Sequence, residues 1–143
     1  MNESGTDETN TDEYFANIVF FFFRELETLA EEPEQQCEIN QYDNVAWEIK
    51  NFFLTDGYSL LHYLKHGRLS SEQANLISQL VSAVENVPDS VVNVYNIKEL
   101  HLNAMRAPCW STIRTQARDL IKVLEPLKKW AYVTLGIDEE TEK

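Results

Sequence analysis

Glycine and proline are scarce in this 143-residue chain, with four of each. That argues against an all-β fold, which needs many tight turns. Cysteine is scarcer still: Cys37 and Cys109 cannot make a disulfide framework, and two free thiols in a reducing cytosol are expected. The longest uninterrupted apolar run, Ile18–Phe23, is far short of the ~20 residues a membrane span needs. The opening MNESGTDETN has neither the basic nor the apolar region of a signal peptide. The expected location is therefore cytoplasmic, without a membrane partner. Phosphate-binding loops, dinucleotide fingerprints and serine-hydrolase elbows are all absent. The expectation is a protein that is not an enzyme and carries no cofactor.

Basic residues are missing from one region in particular. Residues 1–48 hold thirteen acids and a single base, Arg24, while residues 49–143 hold eleven of each. The whole net charge of −12 thus sits in the first third. Such a field repels nucleic acid and anionic lipid and attracts basic partners.

What the chain does have is helical spacing. Residues 1–10 are polar and acidic, and read as a flexible tail. Thr11 caps a helix whose Phe15, Ile18, Val19, Phe22, Leu26 and Leu29 recur at helical intervals. Phe20, Phe21 and Phe23 widen that stripe almost to the full circumference, so this helix is expected to be buried on several sides. A buried strand through Ile18–Phe23 is the rival reading. Pro33 ends the helix, and residues 33–42 read as a polar connection. Asp43 or Asn44 caps a second helix, and Thr55-Asp56-Gly57 breaks it. A short helix, Tyr58–His66, stops at Gly67. Ser70 and Gln73 form a capping box before Ala74, Ile77, Leu80, Val81 and Val84. Residues 91–95 read as a helix start or an extended connection. Ile97–Arg106 is helical, Pro108 opens the next helix, and Pro126 either kinks it or starts another that ends at Gly136. Residues 137–143 read as a second flexible tail. The fold class is all-α: a compact single-domain bundle, residues 11–136, of about six to seven helices of unequal length.

Each candidate for chemistry has a plainer reading. His62 and His66 share a helical face, as metal ligands do, but nothing local supplies a third ligand, so no metal is expected. Cys109 lacks any nucleophile motif. Arg106, Arg114, Arg118 and Lys122 make a basic stripe that fits internal salt bridges to Asp119, Glu125 or the acidic third better than nucleic acid. The acidic segment itself could be only a solvated face. Against that, its acids bracket a turn, and Tyr42 and Trp47 lie among them, where interfaces keep their anchors. The candidate partner-binding residues are Glu25, Glu27, Glu31, Glu32, Glu34, Glu38, Tyr42, Asp43, Trp47 and Glu48.

In size, acidity and helical pattern the chain resembles the small bacterial immunity proteins that neutralise contact-dependent growth inhibition toxins. The stretches DGYSLLHYLKHGRLSSEQANLI (56–77) and NAMRAPCWSTIRTQARDLI (103–121) are similar in character to helical immunity families. The resemblance implies a basic protein partner, a toxin domain and in many cases a nuclease, blocked at or near its substrate cleft. It carries no contact residue across. The alternative is an acidic nucleic-acid mimic of the anti-restriction or anti-CRISPR type, which would space its acids like phosphates; a helical adaptor is a third reading.

Overall fold

The apolar stripe of residues 15–29 becomes the helix on which the others are laid. The computed structural model describes residues 11–137; the tails expected at 1–10 and 137–143 lie outside these residues, apart from Ile137. The order is α1 (Asp12–Leu29), α2 (Pro33–Ile39), α3 (Val45–Leu61), a 3₁₀ turn (His62–His66), α4 (Ser71–Glu85), α5 (Asp89–Val92), α6 (Lys98–Met105), α7 (Pro108–Val123) and α8 (Glu125–Leu135). The described residues contain no strand, so the strand reading of Ile18–Phe23 is set aside. Thr11 and Ser70 cap their helices as expected, whereas Asn44 stands at the N-cap of α3 with φ 45° and makes no side-chain cap bond. Thr11 Oγ1 accepts from the Tyr14 amide at 3.1 Å. Ser70 and Gln73 exchange both bonds of the capping box, at 3.0 and 2.9 Å.

α1 packs against α3, α7 and α8, while α4 bridges α3 to α7 and α2 lies on α6. Phe15, Phe22 and Phe23 are fully buried, each contributing about 1.5–3 kcal/mol by removal from water. Phe15 meets Tyr63 and Trp130 at ring distances of 4.9 and 5.6 Å, and Phe22 meets Phe53 at 5.5 Å. The helix is not covered all round, however. Tyr14, Asn17, Phe21 and Arg24 recur every three or four residues and form an exposed edge.

Three local expectations change. Pro33 does not merely stop α1; it occupies the first turn of α2, where its missing N–H is no loss, so part of the expected 33–42 connection is helix. Pro126 likewise stands in the first turn of a new helix, α8, rather than in a kink. Gly57 does not break α3. It is buried mid-helix because α4 approaches so closely that a Cβ there would lie 2.7 Å from Val81 Cγ2. The left-handed caps are Gly67 and Gly136, with φ of 73° and 69°. Residues 58–61 consequently belong to α3, and only 62–66 form the separate turn.

Gly57→Ala is a direct test of that contact. Alanine favours a helix by about 1 kcal/mol over glycine, but overpacking costs about 1–3 kcal/mol. The urea midpoint is expected to fall, and to recover when Val81→Ala is added. A rise on Gly57→Ala alone would show that the helices are not held that close.

Candidate partner-binding surface

An α-helix leaves its last carbonyls without partners and its C-terminal end negative. The last turn of α1 has no basic residue of its own. Side chains from elsewhere complete it. Gln36 on α2 donates Nε2 to the Thr28 and Leu29 carbonyls at 3.0 and 3.2 Å. Arg118 Nε reaches the Ala30 carbonyl at 2.9 Å, and Arg114 Nε reaches that of Glu31 at 2.7 Å. Arg114, buried on α7, also donates to Gln36 Oε1 and the Met105 carbonyl. Burial pulls its guanidinium below the usual range, with Glu32 opposing that; arginine stays charged regardless.

The three arginines of the basic stripe are therefore used internally, while Lys122 is exposed and neither it nor Asp119 or Glu125 enters an ion pair among the described residues. Arg118 pairs with Glu32 at 2.6 Å, Arg106 with Glu34 at 2.6 Å, and Lys128 with Glu27 at 2.8 Å. A fourth pair, Arg68 with Asp12 at 2.6 Å, also joins the acidic third to the rest. The Arg106 hydrogen bond holds the Glu34 carboxyl below its ordinary value. Exposed pairs of this kind contribute little one by one. Their effect is to withdraw Glu27, Glu32 and Glu34 from the free acidic surface.

The ten candidate residues fall into separate places. Glu25, Glu27 and Glu31 line a groove of about 500 Å³ between α1 and the facing parts of α2, α3 and α8. Its remaining walls include Ile39, Ile49 and Phe52, with Lys128 and Tyr132 at the far side. No ion pair engages Glu25 or Glu31 among the described residues. Trp47 lies on α3 five residues before Phe52, roughly 140° around the axis, and lines a different groove with residues 92–95. Asp43 accepts from Asn96 Nδ2 at 3.0 Å on that second side. Tyr42 lies beneath Lys98, whose Nζ is 4.8 Å from the ring centroid. Glu38 is exposed on α2 and Glu48 half-buried on α3. Ile39 and Phe52 were not foreseen as surface residues. Phe52 stands next to the buried Phe53 and about 100° around the helix from it, a step that here carries it out of the core.

Glu25 is the most perturbed acid. Burial first, then the charge of Asp56, pushes its carboxyl up to about 7, with Arg24 opposing. Burial also raises Asp56. The groove thus holds a partly desolvated carboxyl with an apolar floor beside it, a setting that a lysine or arginine side chain could complete. Neither thiol is bonded: Cys37 is buried and Cys109 half-buried. Among the described residues no group of histidine, cysteine and carboxylate is placed to hold a metal ion, and no helix is long and apolar enough to cross a membrane.

The Glu25 shift sets a pH dependence. Below about pH 4.5 the carboxyl is protonated in folded and unfolded chains alike. Between there and pH 7 the unfolded chain loses its proton first, so stability falls as pH rises, and the loss is complete above pH 7. Glu25→Gln is expected to be more stable than the parent at pH 8 and equal to it at pH 4, read from urea midpoints. An equal difference at both pH values would show that Glu25 is not desolvated.

The chain matches no family model, no curated protein and no solved structure.

Proposed function

We propose that the protein is a non-enzymatic immunity protein of the contact-dependent growth inhibition type, binding a basic toxin domain, most simply a nuclease, through the α1–α3 side of its acidic third. The observation that carries this reading is the groove with Glu25 and Glu31 on its wall and Ile39 and Phe52 exposing apolar surface beside them, over the buried Ile49. Internal pairing has consumed Glu27, Glu32 and Glu34. The acids left over are next to apolar contact area, which is how an interface differs from a solvated face. Nucleic acid would be repelled, and basic substrate-binding residues of a toxin attracted and steered. A phosphate mimic is less favoured, because bases break up the row of carboxylates that a mimic would need to keep free.

The test begins with capture from the bacterial host and identification by mass spectrometry. Recovery of a basic toxin whose activity is abolished at an equimolar ratio supports the reading. Recovery of a polymerase, restriction complex or CRISPR effector without a toxin contradicts it. Once a partner is in hand, Glu25→Lys with Glu31→Lys is expected to weaken binding at least tenfold at low salt, mainly through slower association. Glu34→Lys, which disturbs an internally paired acid, should weaken it far less. Unchanged binding in the double variant would leave the groove a solvated face.

A further inference from the structure

Opposite the α1 groove, two loops are tied into one platform. Residues 40–44 and 93–97 meet at Asn96. Its Oδ1 accepts from the Asn44 amide at 3.2 Å and lies 2.5 Å from His101 Nε2, and its Nδ2 donates to Asp43 at 3.0 Å. Since Oδ1 is an acceptor only, the buried imidazole carries its proton on Nε2. Three non-glycine residues in the first loop, Gln41, Tyr42 and Asn44, have φ of 55°, 54° and 45°. Side chains adopt such backbone seldom, and it persists only where the surroundings fix it. The Asn96 hub holds Asn44, and the Gln41 and Tyr42 amides donate to the Glu38 and Cys37 carbonyls at 3.0 and 2.8 Å.

Large side chains stand out from this platform and from the first turn of α3 beside it. Trp47 is 47% exposed, Tyr95 81% and Ile97 56%. Trp47 and Tyr95 line one groove of about 370 Å³ with Asn44, Val92, Asn93 and Val94. Asp43 and Glu48 lie on either side of Trp47 in the chain, and two bases in this region already have partners: Lys98 is placed over the Tyr42 ring and Lys50 donates to the Val87 carbonyl. Aromatic faces, with a carboxylate next in the chain to each of the lining residues Asn44 and Trp47, suit a planar cation: guanidinium stacks on the rings and forks its N–H groups to carboxylate oxygens. Lys98 on Tyr42 shows the same attraction inside the molecule.

We propose that the Trp47–Tyr95 groove is the anchor subsite for an arginine-bearing segment of the basic protein partner, with Asp43 and Glu48 completing the guanidinium's contacts. This rests on the function proposed above and adds to it Tyr95 and Ile97, which no charge pattern marks. The charge complementarity between a −12 protein and a cationic partner is what selects this occupant. Apolar helices gain nothing from the bordering carboxylates, and a second copy of this chain would bring like charge.

The full chain, labelled with ¹⁵N, is titrated with an acetylated and amidated (Gly-Arg)₃ peptide and, separately, with its lysine counterpart. Saturable shifts are expected at the Trp47 indole Nε1–H and at the amides of 93–97, with the arginine peptide binding more tightly. Trp47→Ala and Tyr95→Ala are each expected to weaken it roughly two- to fivefold, and Trp47→Phe less. Both positions are exposed, so unchanged melting of the variants confirms that the fold is kept. Glu72→Gln, on the exposed first turn of α4, should leave the titration unchanged. Equal affinity for the lysine peptide, shifts confined to the α1 groove, or concentration-dependent shifts without peptide would each overturn the proposal. The peptide titration is independent of partner capture: loss of the titration with a toxin captured removes only the subsite, whereas a titration that succeeds without a toxin removes only the immunity reading.

Discussion

The C-terminal end of α1 poses the constraint that the rest of the structure answers. Four consecutive carbonyls, from Thr28 to Glu31, finish a helix whose end is rich in acids and lacks a base. Gln36, Arg118 and Arg114 satisfy them from α2 and α7. The same side chains draw α2 back along α1 and hold the neighbouring carboxylates against α6 and α7. Charge segregation along the sequence thereby becomes charge neutralisation in space. A first third with one base needs a remainder that can lend cations, and the α7 stripe is that remainder.

This assignment sorts the acidic third into two kinds of residue. Glu27, Glu32 and Glu34 are turned inwards to pair, each with a cation distant in sequence. Glu25, Glu31, Glu38, Asp43 and Glu48 are left to face outwards to differing degrees. The outward set is split by α3, whose two edges carry Phe52 on one side and Trp47 on the other. The candidate residues over 25–48 are thus divided between two grooves, one lined by Glu25, Glu27 and Glu31 and one by Trp47 and Tyr95. A basic partner large enough to cover the exposed face of α3 would contact both.

Much of the fold could be read from local chemistry. The Thr11 cap, the Ser70–Gln73 box, Pro108 at a helix start, and the stops at Gly67 and Gly136 each act within one turn of chain, so the residues alone disclose them. The internal use of the basic stripe was legible too, because the charge imbalance required it. What escaped was decided at a distance. Whether Gly57 ends a helix or admits a neighbour depends on where α4 lies, and sequence shows only that glycine permits both. Pro33 ends one helix and begins another because α2 has Gln36 to bury and Cys37 to pack, a benefit visible only in three dimensions. The division of the candidate site had the same origin. Arginine partners for Glu32 and Glu34 come from more than seventy positions away, and Tyr95 shares a groove with Trp47 across nearly fifty residues of chain.

The most direct test of this account is hydrogen exchange in Arg114→Ala, followed residue by residue at pH 7. Removing the guanidinium strands the Glu31 and Met105 carbonyls and loosens Gln36, so the amides of α2 and the last turn of α1 are predicted to exchange at least tenfold faster, while those at the α3–α4 contact keep their protection. Unchanged protection in α2, or a uniform loss across every helix, would contradict the claim that Arg114 organises the acidic third.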